Sequence, residues 1–275
     1  MSLFDLVMHV KDCRFEDAMK FLADRLGISC NSRYGFPKRT SSFVKQCQEL
    51  SELTNHRQCS YQPPIYDETI LNYFEDRYYT GWIDEGISPS VMKRFGIKWY
   101  EYRKHIIIPC RNAQGKLIGI RRRSLVEGEQ KYMPLTIEGR DYAFSTGLAL
   151  YGLYENLATI QHRRECYLFE GEKSVLKAAT IYGDFPCVAC FSHYISYYQT
   201  DLLIDLGVER VIICFDYDNA GEQERYAKLQ QTLKSRGLDC SYLYPEYKYY
   251  LDEHDSPIDK GRDVFELLIR NHVKG

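Results

Sequence analysis

Two short apolar runs, each followed by acidic residues and then by a helical pattern, dominate the second half of the sequence. Residues 166–169 (CYLF) form the first run and Glu170 follows them. Residues 211–215 (VIICF) form the second run, with Asp216 and Asp218 after it. Both runs match short buried strands, and helical spacing of apolar residues resumes after each. Strand, helix, strand and helix in this order predict parallel strands joined by right-handed crossovers.

The pattern before residue 165 predicts a different arrangement, with local helices and an antiparallel hairpin. The predicted elements are a helix over 1–28, a polar linker over 31–64, a helix over 66–77, two short helices over 78–99, and a hairpin of strands 105–112 and 116–125. We therefore predict the fold class α/β, with an α+β amino-terminal half over 65–164 and a parallel-sheet α/β domain over 165–275.

The acidic residues after the two strands are the first candidates for chemistry. Ligand sites of open parallel sheets lie beyond the carboxyl ends of the strands, so Glu170, Asp216 and Asp218 should share one edge. Carboxylates brought together either acquire a raised pKa or hold a hard cation such as Mg²⁺. Asp263, near the start of a later helix, is a further candidate. The alternative is that Asp218 caps a helix and Glu170 only decorates a loop.

Length and composition predict the size of the core, the solubility of the protein and the state of its cysteines. At 275 residues with 44% hydrophobic content, the chain can bury a sizeable core. It has no apolar run of membrane-spanning length and no signal-peptide pattern, which predicts a soluble, cytoplasmic protein without a membrane partner. The ten cysteines are scattered, and Cys187 and Cys190 lack a second pair of ligands. We interpret the cysteines as small buried hydrophobes.

Charge is distributed unevenly along the chain. The net charge is −2, yet residues 98–131 contain nine Lys and Arg against three Glu. A basic surface beside a carboxylate site suits a phosphate backbone, although a solvated hairpin face is the alternative. Within the run of three arginines at 121–123, the outer two face one side of a strand and the middle one the other. The candidates for contact with nucleic acid or nucleotide are Arg111, Arg121, Arg123 and Lys131.

The acidic motifs resemble those of the TOPRIM domain of primases, topoisomerases and some nucleases. FEGEKS, FDYDNAG and GRDVFELL occur in the order of that family. The resemblance implies that Glu170, Asp216, Asp218 and Asp263 bind Mg²⁺ or Mn²⁺, and that the first three are catalytic. Three positions depart from the family: Ser192 and His193 replace Gly-Thr, and Phe265 replaces a residue that is often acidic.

The basic half resembles the amino-terminal half of the DnaG-type primase core. The matching pieces are IPCRNAQGKLIGIRRR, QKYMP and LYGLYEN, and Thr146 stands where a lysine is common. Residues 1–30 resemble the helical segment that closes the zinc-binding domain of those primases. Its metal ligands would precede this segment and are absent, so we interpret 1–30 as a helical remnant and 31–64 as a linker.

Together these resemblances imply a DNA primase catalytic core, a nucleotidyltransferase that makes short RNA primers on single-stranded DNA. The implied partners are the template, ribonucleoside triphosphates, the RNA:DNA hybrid and a replicative helicase that binds a region outside this sequence. Lys173, in the helix after Glu170, could reach a phosphate, and a plain surface role is equally expected. Two alternatives stay open: a metal-dependent TOPRIM nuclease that uses the same carboxylates, and a non-catalytic nucleic-acid-binding replication factor.

Overall fold

The computed structural model describes residues 63–217, 222–243 and 250–274, together with isolated positions before residue 26. The chain divides into two compact units, residues 1–58 and 59–275. The isolated amino-terminal positions are helical, in agreement with the predicted helix over 1–28. The predicted linker lies almost entirely outside the described residues, and the domain boundaries at 30, 64 and 164 stay predictions.

An antiparallel sheet of four strands forms the first half of the second unit. Its strands follow chain order: β1 Lys98–Tyr100, β2 His105–Arg111, β3 Leu117–Ser124 and β4 Tyr132–Pro134. The β2–β3 hairpin is the one predicted from the sequence. Arg121 and Arg123 both contact Tyr132, whereas Arg122 contacts Glu129. The predicted alternation of the arginines across the strand is thus confirmed.

Short helices precede this sheet. They are a 3₁₀ helix at Glu68–Tyr73, α1 at Thr80–Asp84 and α2 at Pro89–Arg94. The helix predicted over 66–77 is present only as the 3₁₀ helix Glu68–Tyr73, because the chain becomes extended after Tyr73 and Glu75 pairs with Trp99 through two backbone hydrogen bonds. The start of α2 was predicted correctly: Pro89 is its first residue and the Ser88 hydroxyl accepts from the Val91 amide.

The second half is a five-stranded, mostly parallel sheet with the order β11-β10-β9-β7-β8. Its elements, with the small ones that lead into it, are β5 Thr136–Ile137, β6 Arg140–Asp141, a 3₁₀ helix Thr146–Leu148, α3 Leu153–Arg163, β7 Glu165–Phe169, α4 Glu172–Tyr182, β8 Cys187–Ala189, α5 Tyr197–Asp205, β9 Arg210–Ile213, α6 Glu222–Ser235, β10 Asp239–Leu243, α7 Arg262–His272 and β11 Val273–Lys274. Strands β7 and β9 are direct neighbours and run parallel, as the sequence predicts.

The two sheets share a hydrophobic core. One continuous cluster contains Ile106 and Ile108 of the first sheet together with Phe169 and Val175 of the second half. Tyr151 adds an antiparallel bridge to Ala189. Burial of this shared apolar surface holds the halves in one orientation. The predicted α/β class, with an α+β first half and a parallel second sheet, is confirmed.

The cysteines serve as apolar core residues. The described ones, which are Cys110, Cys166, Cys187, Cys190, Cys214 and Cys240, are buried with free thiols. Burial raises the pKa of the Cys190 thiol to about 12. The thiols are therefore protonated at neutral pH and pack as small hydrophobes, in agreement with the sequence interpretation. Among the described residues, no helix is both long and apolar enough to cross a lipid bilayer.

Candidate active site

Glu170 and Asp216 meet at the carboxyl edge of the parallel sheet. Each follows one of two adjacent strands, β7 and β9, and the hydrogen bond from Cys214 N to Leu168 O (2.8 Å) extends their pairing towards that edge. Burial, then repulsion from Glu170 and Asp259, raises the pKa of Asp216 to about 7. The structure therefore brings together the two strand-end acids that the sequence singles out.

The Asp216 carboxylate has an unsatisfied oxygen. Its Oδ1 is buried and has no hydrogen-bond partner among the described residues. The Ser256 side chain lowers the Asp216 pKa as a hydrogen-bond partner of the carboxylate, but this does not offset burial and the neighbouring acids. A buried unpaired carboxylate oxygen costs free energy unless a proton or a cation satisfies it. The environment of Asp216 therefore suits a hard cation.

A third acid close to Asp216 is Asp259, whereas Asp263 lies elsewhere, and the metal-binding role of Asp263 stays a prediction. Asp259 acts on Asp216 and accepts a hydrogen bond from Lys177 Nζ at 2.7 Å. Asp263 instead lies where its charge acts on Tyr182, at the carboxyl end of α4. The preceding residue, Arg262, donates to the Ile181 carbonyl at that same end. The start of α7 therefore lies beside the carboxyl end of α4. That end of α4 is the one far from the strand edge where Glu170 and Asp216 lie.

Asp218, the other predicted metal ligand, lies outside the described residues. Within the described ranges, no group of three His, Cys, Asp or Glu side chains is arranged to hold a metal ion. Of the predicted ligands that the structure describes, Glu170 and Asp216 lie together and Asp263 lies apart from them. Phe265, at the position that is often acidic in the TOPRIM family, is buried against Phe169 and Phe185 in the core.

His193 contacts Glu170 directly. Its Nδ1 lies 2.8 Å from Glu170 Oε2, and the Glu170 side chain is only 12% exposed. The loop that carries His193 contains Phe191 at φ 65°, a backbone region that bulky residues rarely occupy. Contacts with Phe144 and with the Arg121 guanidinium hold the Phe191 ring in place. The sequence marked His193 only as a departure from the family, without its partner.

Two of the predicted cations, Lys131 and Lys173, carry charges that act near the carboxylates. Burial, then repulsion from Arg123 and Lys173, lowers the pKa of Lys131, while Glu85 and Asp216 raise it. Lys131 is thus within electrostatic reach of Asp216. Lys173 forms an ion pair with Glu85. Arg123 packs over Tyr132 and donates to its hydroxyl at 2.7 Å.

The other two predicted nucleic-acid contacts, Arg121 and Arg111, are engaged within the protein. Arg121 Nη1 donates to Glu172 Oε1 at 2.6 Å, and the Glu172 side chain is almost completely buried. Arg111 lies 3.3 Å from Glu68 Oε2 and 3.8 Å from Glu155 Oε1. The Arg111 side chain is 12% exposed. Each of these two arginines is paired with a protein carboxylate, and its contact with nucleic acid stays a prediction.

Comparison with known proteins places this geometry in a family. A Toprim-like family matches residues 167–254. The SPbeta prophage-derived uncharacterized protein YorJ of Bacillus subtilis is 32% identical over 99% of this chain and 79% of its own length. The DNA primase of Deinococcus radiodurans is 26% identical over 86% of this chain and 44% of its own length. The DNA primase of Neisseria meningitidis serogroup A is 25% identical, and the chain spans 50% of it.

Solved structures share the fold. The Aquifex aeolicus primase (zinc-binding and RNA polymerase domains) superposes with a TM-score of 0.61 at 19% identity, over 98% of this chain and 70% of that one. The DnaG primase catalytic domain bound to ssDNA gives a TM-score of 0.59 at 19% identity, over 83% and 80%. The chain therefore belongs to the same family as YorJ, contains a Toprim-like domain over residues 167–254, and has the fold of the DnaG-type primase cores.

Proposed function

We propose that this protein is a DNA primase catalytic core, which synthesises short RNA primers on a single-stranded DNA template. The observation that carries the proposal is the buried, unpartnered Oδ1 of Asp216 beside Glu170, with Lys131 within electrostatic reach. This arrangement combines a cation site with a positive group for a phosphate. Because the chain spans about half of the characterised primases that it resembles, the activity is a proposal about this protein.

In this proposal Glu170 and Asp216 hold Mg²⁺ or Mn²⁺, and Asp218 completes the ligand set. A divalent ion bound there would lower the pKa of the attacking 3′ hydroxyl and would neutralise negative charge on the α-phosphate. Asp259 keeps its own partner, Lys177, and contributes negative potential. His193 Nδ1 lies 2.8 Å from Glu170 Oε2, and its N–H donates to this carboxylate.

The cations beside this edge bind the phosphates of the incoming ribonucleotide and of the template. Lys131 is the residue that we assign most directly, because no carboxylate lies within ion-pair distance of it among the described residues and Asp216 acts on its pKa. Lys173 can contribute when its ion pair with Glu85 opens. Contacts of this kind bind the backbone, whereas base pairing with the template selects each ribonucleotide.

The test uses single-stranded DNA, labelled ribonucleoside triphosphates and Mg²⁺ or Mn²⁺. We expect short RNA products from the wild-type chain and none from Asp216→Asn. Asp184→Asn is the matched control, since the Asp184 side chain is 84% exposed and belongs to a turn after α4. Circular dichroism checks that both variants are folded. Full activity of Asp216→Asn would reject the assignment of the site.

The same assay separates the two alternatives. Shortened template without RNA product would identify a nuclease, which uses the carboxylates with water as the nucleophile. Template binding without either product would identify a non-catalytic replication factor. A replicative helicase as partner stays a prediction from the family resemblance.

A further inference from the structure

Three tyrosine rings follow one another along one corner of the four-stranded sheet. The ring centroids of Tyr73 and Tyr100 are 5.9 Å apart, and those of Tyr100 and Tyr102 are 6.3 Å apart. Tyr102 is 81% exposed and Tyr73 is 54% exposed. The outer faces of these two rings therefore lie in water, where they add little to the stability of the core. Such open aromatic faces are available for stacking against a ligand.

Arg103 provides a cation beside this row of tyrosines. Its guanidinium lies 5.5 Å from the centroid of the Tyr102 ring, and the side chain is exposed. Among the described residues, no carboxylate forms an ion pair with it. Most other cations of the basic segment are engaged in ion pairs; these are Lys98, Lys104, Arg111, Arg121 and Arg122. Arg103 is thus one of the few positive charges in that segment left for a partner.

A cavity of about 350 Å³ opens beside the same rings. Tyr73, Tyr100 and Arg103 line it, together with Arg122, His105 and Glu129. Glu129 lies 3.2 Å from Arg122 and 3.1 Å from His105, so its charge is balanced by the protein. The volume is at the lower end of the range for small-ligand pockets, large enough for a planar base.

This corner is separate from the carboxylate site. Arg122, which lines the cavity, faces the opposite side of β3 from Arg121, which bonds to Glu172 at the start of α4. Successive residues of a strand point to opposite faces of the sheet, so the two regions lie on different faces. A ligand in this cavity would not occupy the place of the substrate at Asp216.

We propose that this corner, which we define by Tyr73, Tyr100, Tyr102 and Arg103, binds single-stranded nucleic acid. Bases stack on the exposed faces of Tyr73 and Tyr102, and Arg103 binds a phosphate. Stacking on aromatic side chains is tolerant of sequence because every base has a π face, and a neighbouring arginine adds the electrostatic contribution. The proposal rests on the proposed function, which requires a single strand as template, and it names a second place where that strand is held.

Two contacts on one strand have a consequence for affinity. A strand long enough to reach both the carboxylate edge and the tyrosine corner binds more tightly than a short one, because the second contact is then intramolecular. A strand of a few nucleotides can occupy only one region at a time. The tyrosine corner therefore predicts that affinity rises with template length.

The experiment measures binding of fluorescent oligothymidylates of about 6 and about 25 nucleotides by polarisation. We expect Tyr102→Ala to weaken binding of the long strand about 5-fold to 100-fold, the range that corresponds to one lost stacking contact. Tyr102→Phe keeps the ring and should bind like the wild type. Tyr154→Ala is the matched control, because Tyr154 is a tyrosine with 48% exposure on α3. Arg103→Gln should reduce the slope of the logarithm of affinity against the logarithm of salt concentration by about one, the value for one lost phosphate contact.

Equal affinity of Tyr102→Ala and the wild type for the long strand would overturn the proposal. Complete displacement of the long strand by a mononucleotide would also overturn it, because the corner would then be a nucleotide pocket. The binding assay does not depend on catalysis. A wild-type chain that makes no primers, yet loses affinity in Tyr102→Ala, would reject the proposed function and support the corner. Normal primer synthesis together with unchanged binding in Tyr102→Ala would support the proposed function and reject the tyrosine corner.

Discussion

Arg121 and Glu172 form a buried ion pair that joins the two halves of the protein. Nη1 of Arg121, on β3, lies 2.6 Å from Oε1 of Glu172, the first residue of α4. Their side chains are 17% and 2% exposed. Burial raises the pKa of Glu172, and the nearby arginine offsets part of that effect. Since α4 follows Glu170 directly, the pair also fixes the start of the segment that carries the site.

We expect Arg121→Met to destabilise the protein by about 3–5 kcal/mol, because it leaves the Glu172 carboxylate buried without a partner. The change is measured as the free energy of unfolding in urea at neutral pH. Arg140→Met is the control, since Arg140 is an exposed arginine on β6. The double variant Arg121→Met with Glu172→Leu should recover most of the loss. A loss below about 1 kcal/mol in the single variant would mean that the pair resembles an exposed one.

Asp216 makes the metal-free protein less stable as the pH rises. Its folded pKa of about 7 exceeds the ordinary value of 3.8, so between these values the folded carboxyl keeps a proton that the unfolded chain has released. Stability attributable to Asp216 is therefore fully present below about pH 4 and is lost towards pH 7. Each unit of pKa corresponds to about 1.4 kcal/mol, which gives a total of a few kcal/mol.

This pH dependence can be isolated by comparing variants. Unfolding in urea is measured with a chelator present, from about pH 4 to 8, for the wild type and for Asp216→Asn. As the pH rises, the unfolding free energy of the wild type should fall relative to that of Asp216→Asn. A constant difference across this range would show that Asp216 is not buried as the structure has it.

The contact between His193 and Glu170 predicts an effect on metal binding. A hydrogen bond to a ligating carboxylate fixes its orientation, and loss of such a bond typically costs 10-fold to 100-fold in metal affinity. We expect His193→Ala to weaken Mn²⁺ binding, measured by calorimetry, by about 10-fold. His193→Asn can still donate to Glu170 and should retain part of the affinity. His162→Ala, on the exposed face of α3, serves as control. Unchanged affinity in His193→Ala would contradict this role.

The positions of the strands and of the two principal acids could be predicted from the sequence. The β-branched run before Asp216 has no polar residue and can only be a buried strand, and parallel pairing then determines that Glu170 and Asp216 share an edge. The hairpin and the alternation of its arginines could also be predicted from the sequence, since the period of a strand determines which side chains share a face.

The partners of the side chains could not be predicted in the same way. Arg121 was assigned to nucleic acid because it lies in a basic stretch, and its carboxylate partner, Glu172, is 51 positions away along the chain, where local sequence cannot indicate it. Arg111 was assigned likewise, and its partner Glu68 is 43 positions away. The helix predicted over 66–77 ends early, at Tyr73, for a related reason, because the pairing of Glu75 with Trp99 overrides local helical spacing. Local patterns determine elements, whereas tertiary contacts decide which charges remain free.

The assignment of the third acid separates motif from geometry and can be tested directly. The motif points to Asp263, whereas the structure puts Asp259 beside Asp216, bonded to Lys177 Nζ at 2.7 Å. Asp259→Asn removes a negative charge near the cation site, so we expect weaker Mn²⁺ binding by calorimetry and a lower pKa for Asp216. Asp263→Asn, a change of the same type at the start of α7, should leave both quantities unaltered. The reverse pattern, with only Asp263→Asn reducing affinity, would restore the assignment from the motif. It would also require α7 to begin at the strand edge and not beside Tyr182.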